Sequence, residues 1–201
     1  MMNTSRLFFY LCFSIAALSA CTVNRDAHSA HIKALQKGKI KEDSSFIYHL
    51  PYDTGTSHLL VQGYYSSYSH KNRAALDFKM KKGTRVLAAR GGKVIRVKQD
   101  GNRGGLNKKY RADGNVVVIE HADGSRAGYW HLQFHSVWVK EGDTVQQGQP
   151  IGLSGKTGYT LFPHLHFIVW RFDPNRKWQA VGTRFLTSKG VRYLRPMRRY
   201  M

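Results

Sequence analysis

Cysteine is nearly missing from this 201-residue chain, which has only Cys12 and Cys21. Cys12 lies in an N-terminal segment expected to be removed, so the mature chain has no pair from which to close an internal disulfide. Stability must come from a buried core, and the roughly 180 residues left after processing suffice for one domain. Acidic residues are scarce too, 12 against 32 Lys and Arg, for a formal net charge of +20 and a pI of about 10.2. That excess is compatible with nucleic acid, but an exported chain meets the anionic lipids and polymers of a bacterial envelope. The charge is therefore read as long-range attraction to those surfaces, with no nucleic acid as partner. Long apolar runs are absent: the run over residues 7–18 is too short to cross a bilayer as a helix. The pattern of a long amphipathic helix is missing as well, which leaves a domain built mostly of antiparallel strands.

What the N-terminus does have is a targeting pattern. Arg6 precedes the apolar run, which ends in Leu18-Ser19-Ala20-Cys21. Small residues ahead of a cysteine resemble the lipobox of bacterial lipoproteins, in which the thiol is acylated and becomes the new N-terminus; an ordinary secretory signal cut near Ala20 is the alternative. Residues 1–20 are read as a lipoprotein signal peptide with Cys21 as the lipidation site. The expected location is the cell envelope, and with Thr22 after the cysteine, the periplasmic face of the outer membrane if the source has two membranes. Residues 21–45 are mostly polar and read as a tether, although Ile32, Leu35 and Ile40 fit a short helix. As a coil, about two dozen residues reach roughly 25–30 Å.

From residue 46 to 201 short apolar runs alternate with Gly and Asp turns. Strands are expected over residues 59–62, 85–88, 93–97, 115–120, 126–130, 137–140 and 161–170. Residues 101–114, with four glycines among basic residues, read as a solvated hairpin loop or as a wall of a substrate groove. The basic stretch 171–201 has enough interleaved apolar residues to pack with the domain.

Within residues 161–170, alternation on a strand sends His164 and His166 to one face and Leu165 and Phe167 to the other. Two imidazoles on one face can share a metal ion, or can be a surface pair on an edge strand. Other donors lie at His70, at Asp77 (a carboxylate in an apolar setting, costly to bury unpaired) and at His131. A hydrolytic zinc site needs three protein ligands, an open fourth position and nearby acid–base groups.

Asp77-Phe78, Gly83-Thr84-x-Val86, Gly92-x-Val94, Asn115-x-Val117-x-Ile119-x-His121, Tyr129-x-His131-Leu132, Val145-x-x-Gly148-x-x-Ile151-Gly152, Ser154-Gly155-x-Thr157-Gly158 and Pro163-His164-Leu165-His166-Phe167 occur in that order. Together they resemble the lysostaphin/LytM family of zinc metallopeptidases, over roughly residues 59–170. The resemblance implies an all-β fold, a compact antiparallel β sandwich or barrel-like domain with a groove, and one Zn2+ per chain. It implies an endopeptidase hydrolysing peptide bonds in peptidoglycan stem peptides or cross-links.

Asp77 and His166 match the family's metal ligands, and His131 and His164 its two catalytic, non-ligand histidines. The usual first ligand, four residues before the aspartate, is Arg73 here, and arginine cannot ligate zinc; His70 is expected to take that role. Ile168 stands where many relatives carry Glu. His121 is read as a structural hydrogen-bonding residue, His135 as a reserve candidate for the groove, and His28, His31, His49 and His58 as surface groups. The contrasting reading is a catalytically inactive LytM-like module that binds the cell wall and activates an amidase. Partners in the first reading are peptidoglycan and a membrane, held through the N-terminal lipid.

Overall fold

A computed structural model describes residues 27–41 and 46–201; the signal segment and Cys21 lie outside the described residues. Strands dominate the structure, and the principal sheet has nine of them, all paired antiparallel. Its centre is the strand His164–Phe172, flanked by Ala75–Lys79 on one side and Arg126–Trp130 on the other. Outside Ala75–Lys79 come His58–Gln62 and the edge strand Arg198–Tyr200; outside Arg126–Trp130 come Val116–Glu120, Gly92–Lys98 and Thr144–Val145. Trp178–Val181 pairs with the far end of the central strand, past the point where Ala75–Lys79 stops.

The alternation expected of the central strand is present. Leu165, Phe167 and Val169 enter the main core, where Leu76, Phe78, Val117, Ile119 and Tyr129 are also fully covered. Phe167 meets Tyr129 and Phe185 edge to face, a ring geometry that adds to simple burial. The opposite face, carrying His164 and His166, is left for the site. The core face is therefore a rigid backing for the chemistry rather than part of it.

The basic C-terminal residues belong to the domain. Arg184–Thr187 pairs parallel with Ile47–His49 and antiparallel with Gly190–Tyr193, and Phe185 and Leu194 are fully buried. Residues 137–140, expected as a strand, form no ladder: Val137 N–H is taken by the Gln99 side chain and Trp138 N–H donates to Ile151 O. The expected strand over 161–170 begins only at His164, because residues 161–163 bend.

The segment read as a tether also differs in its described part. Ala27–Lys37 is an α-helix whose Ile32 and Leu35, one turn apart, are buried against the domain. His28 donates to Ala180 O and Gln36 to Leu194 O. The helix ends at Gly38, with left-handed φ of 69° and the Gly38 and Lys39 N–H groups closing on Leu35 O and Ala34 O. Burying two apolar side chains offsets the entropy that favours a coil.

Candidate metal centre and active site

Asp77 and His166 are direct cross-strand partners. His166 Nδ1 donates to Asp77 Oδ1 at 2.8 Å. His70 arrives from the loop joining His58–Gln62 to Ala75–Lys79, with its Nε2 3.2 Å from the same oxygen. One donor atom from each of His70, Asp77 and His166 lies within 4.8 Å of the others. The structure thus brings together the three residues expected as ligands. Arg73 lies in the same loop but contributes no donor; it lines the groove instead.

The residues fit a cation on the structure's own terms. His70 is buried, its Nδ1 donates to Gly63 O at 3.2 Å, and its Nε2 makes no hydrogen bond. That leaves a lone pair aimed at Asp77 and unused, a costly arrangement unless a metal takes it. Asp77 is 2 % exposed. Burial alone raises its carboxyl pKa, but the hydrogen bond donated by His166, with the nearby His164, outweighs that and holds it well below the ordinary value. A buried carboxylate held in its ionised form beside two imidazoles is a hard and borderline donor set suited to zinc.

Gln62 was not foreseen. A β-bulge between Leu60 and Gln62 places Gln62 opposite Asp77. Its Nε2 donates to Asp77 Oδ2 at 2.6 Å, while its Oε1 accepts from Ser66 Oγ and Ser69 N. One side chain thereby fixes the carboxylate and ties down the loop that carries His70. No pattern in the sequence marks this role, because a one-residue bulge is invisible to strand periodicity.

His131 and His164 stand beside this cluster, their ring centroids 4.7 Å apart. His131 follows the strand Arg126–Trp130 with φ of 66°, a left-handed conformation uncommon outside glycine. Its Nδ1 donates to Thr157 O at 2.7 Å, which leaves Nε2 as an acceptor. Burial, and then the adjacent His164 and His166, push its pKa down to about 3, so it is neutral at neutral pH. His164 Nδ1 is held by Phe162 O at 2.9 Å and contacts Thr160 Oγ1 at 3.1 Å. Its Nε2 lies 3.7 Å from Asp77 Oδ1, beyond hydrogen-bonding distance.

Behind His131, three loops are knotted by Asn115, which is fully buried. Its side chain exchanges hydrogen bonds with Gly101 N and O and donates to Leu132 O. Gly158, with φ of 83°, passes so close to Gly114 that a Cβ there would sit 2.7 Å from the Gly114 Cα. Gly158–Tyr159 in turn pairs with Gly104–Gly105. Residues 101–114 are therefore a wall of a groove of about 690 Å3, contributing Leu106, Arg111 and Gly114, with a short 3-10 turn over Lys108–Asp113. Trp130, Ile168 and Trp170 extend its floor past His166.

The remaining histidines separate cleanly. His121 is buried and donates to Gly91 O at 2.8 Å, a structural role. His135 is exposed and lines no part of the groove. His58, expected at the surface, is half-buried against Tyr52 and bonds Lys79 O.

Two histidines and an aspartate converging at the bottom of a peptide-sized groove, with further imidazoles alongside, have the character of a metallopeptidase centre. Residues 71–180, more than half of the chain, match Peptidase family M23, and the chain belongs to that family. The match starts one residue after His70. The chain is 40% identical over 91 residues to the peptidoglycan DD-endopeptidase ShyA of Vibrio cholerae, covering 45% of this chain and 18% of that protein. It is 41% identical over 92 residues to lysostaphin of Staphylococcus simulans (46% and 17%) and 40% over 96 residues to the glycyl-glycine endopeptidase ALE-1 of Staphylococcus capitis (48% and 24%). It therefore spans about a quarter or less of these relatives' lengths. The solved catalytic domain of lysostaphin is 30% identical, with a TM-score of 0.44, covering 62% of this chain and 87% of that domain. A zinc-containing peptidase from Vibrio cholerae is 28% identical, with a TM-score of 0.42, covering 62% of this chain and 37% of that chain.

Proposed function

We propose that this protein is a zinc-dependent endopeptidase that hydrolyses peptide bonds in peptidoglycan. The observation that carries the reading is the unpartnered His70 Nε2 converging with His166 on one buried carboxylate at the groove floor. His70, Asp77 and His166 would hold the ion. A zinc ion there supplies Lewis acidity toward a peptide carbonyl and acidifies the attacking water.

The chain's own groups do the rest. His131, neutral and with Nε2 open, accepts the proton of the attacking water. His164, held through Nδ1 by Phe162 O, presents Nε2 toward Asp77; once its ring is protonated at Nε2 as well, it is placed to donate to the oxyanion or to the leaving amine. The groove walls position an extended peptide and restrict water.

Digestion of purified peptidoglycan, with mass spectrometry of the fragments, tests the reading. His131→Ala and His164→Ala are expected to keep close to one zinc per chain and to lose roughly 10²–10⁴-fold in rate. An inactive module that activates an amidase would instead bind the cell wall without releasing fragments. Retention of all five site residues favours the enzyme. A mutant that sheds its zinc would make that histidine a ligand.

We further propose anchoring through an acylated Cys21 in the cell envelope, supported by Leu18-Ser19-Ala20-Cys21 after the apolar run. Cys21→Ser is expected to release a soluble or unprocessed form on fractionation; unchanged processing would point to an ordinary secretory signal.

A further inference from the structure

Arginines outnumber carboxylates throughout this chain, and the described carboxylates are shared out unevenly. Arg85 pairs with Asp53, Arg90 with Asp123, Arg103 with Asp113 and Arg126 with Glu120. Arg73 and Arg111 have no carboxylate partner among the described residues; Arg96, Arg176 and Arg199 are among several others in that position, but of the arginines only Arg73 and Arg111 line the groove. Arg103 and Arg111 are the sharpest contrast: they lie on the same loop, yet Asp113 goes to Arg103, while Arg111 sits over the ring of Tyr159, 5.4 Å from its centroid.

The two arginines stand on different walls. Arg73 is in the loop between His58–Gln62 and Ala75–Lys79, on one side of the central strand. Arg111 is in the segment leading into Val116–Glu120, on the other side. The metal-donor cluster lies on the floor between them. Asp77 is the one carboxylate lining the groove, and it is occupied by His166 and Gln62. A chain that spends arginines here, unneutralised and partly lined by apolar rings, attracts anions into the cleft, and the planar guanidinium fork favours carboxylates.

We infer that Arg73 and Arg111 select an anionic peptide, one carrying free carboxylates on both sides of the bond to be cut, in preference to a neutral bridge. This rests on the endopeptidase reading above and names its substrate class. Arg73 then has a positive role at the position that could not supply a ligand: with His70 taking the metal, the position four residues before Asp77 is free to read the substrate.

The test uses the full chain and two synthetic cross-linked stem peptides, identical except that the side carboxylates are free in one and amidated in the other, with oligoglycine as a neutral control. Binding is measured by calorimetry on the His131→Ala protein, so that the answer does not depend on turnover; cleavage is measured on the native protein. The carboxylate peptide is expected to bind about tenfold or more tightly than its amidated twin. Arg73→Gln and Arg111→Gln should each remove about tenfold from carboxylate binding, seen as a rise in KM with kcat retained, and leave the amidated peptide unchanged. Arg73→Lys should restore part of the loss. Equal binding of the two peptides, or equal loss on both in the Arg→Gln proteins, overturns the inference while leaving the enzyme reading intact. Selective binding without release of any fragment supports the inference and defeats the enzyme reading.

Discussion

His166 and His70 reach the same oxygen of Asp77 from two unlike kinds of backbone. His166 is the third residue of a nine-residue strand, paired on both sides, with its position set by ladder hydrogen bonds and by Leu165 and Phe167 locked in the core. His70 sits in an irregular loop and is placed by Gly63 O behind it and by Gln62, which grips Ser66 and Ser69. One position follows from alternation, the other from a set of side-chain contacts. A loop-borne donor can shift along the sequence and still arrive at the same point in space, which is how a chain with Arg73 at the usual place still brings a histidine to Asp77.

Removing donors is the most severe way to break this comparison. Asp77→Ala and His166→Ala are expected to lower zinc affinity by well over about 100-fold, beyond the range for a merely supporting group, and to abolish hydrolysis. His70→Ala should do the same while Arg73→Ala keeps close to one zinc per chain, by elemental analysis of the dialysed proteins. Full zinc in His70→Ala together with loss in Arg73→Ala would mean that the loop delivers a different residue.

A smaller effect sharpens the contrast between loop and strand. Gln62→Leu removes the grip on Asp77 Oδ2 and on the His70 loop, and is expected to weaken zinc by about 10–100-fold. Thr160→Val, which removes the hydroxyl's contacts to Phe162 O and to strand-held His164 but touches no metal donor, should leave zinc affinity unchanged in a competition titration with a chelator. Equal effects from the two would show that the loop is as rigidly fixed as the strand.

The smallest effect is on stability and pH. Folded His131 titrates at about 3, and an unfolded histidine near 6.5. As pH falls through 6.5 the unfolded chain takes up a proton that the folded chain refuses, so this residue's contribution to folding is lost on acidification and kept above that pH. For the metal-free protein this amounts to about 1 kcal/mol between pH 6.5 and 5.5. Urea unfolding of metal-free wild type and His131→Gln at those two pH values checks it: the wild type should lose more than the variant.

Strand-borne features were legible in the sequence. Period-two alternation put His164 and His166 opposite Leu165 and Phe167, and the ordered motifs brought in Asp77 and His131. Partly legible was the packing of the C-terminal stretch: of its interleaved apolar residues Phe185 and Leu194 are fully buried, while Trp178, Leu186 and Val191 stay exposed. Less legible was the polar segment ahead of the domain: Ile32 and Leu35 hinted at a helix, but only the surface they pack against decides between helix and coil. Residues 137–140 misled because an apolar run says nothing about whether a neighbouring strand has a free edge.

By itself, the sequence determined that a β domain would form, that it would be held without disulfides, and which residue types could carry hydrolysis, since these follow from composition and local periodicity. Tertiary structure decided that the bulge before Gln62 would set its amide against Asp77 and that a left-handed turn would bring His131 to His164. It also decided that Arg73 and Arg111, far apart in the chain, would face one groove. Each of those depends on which backbone groups find partners across long sequence separations, and no local pattern encodes that.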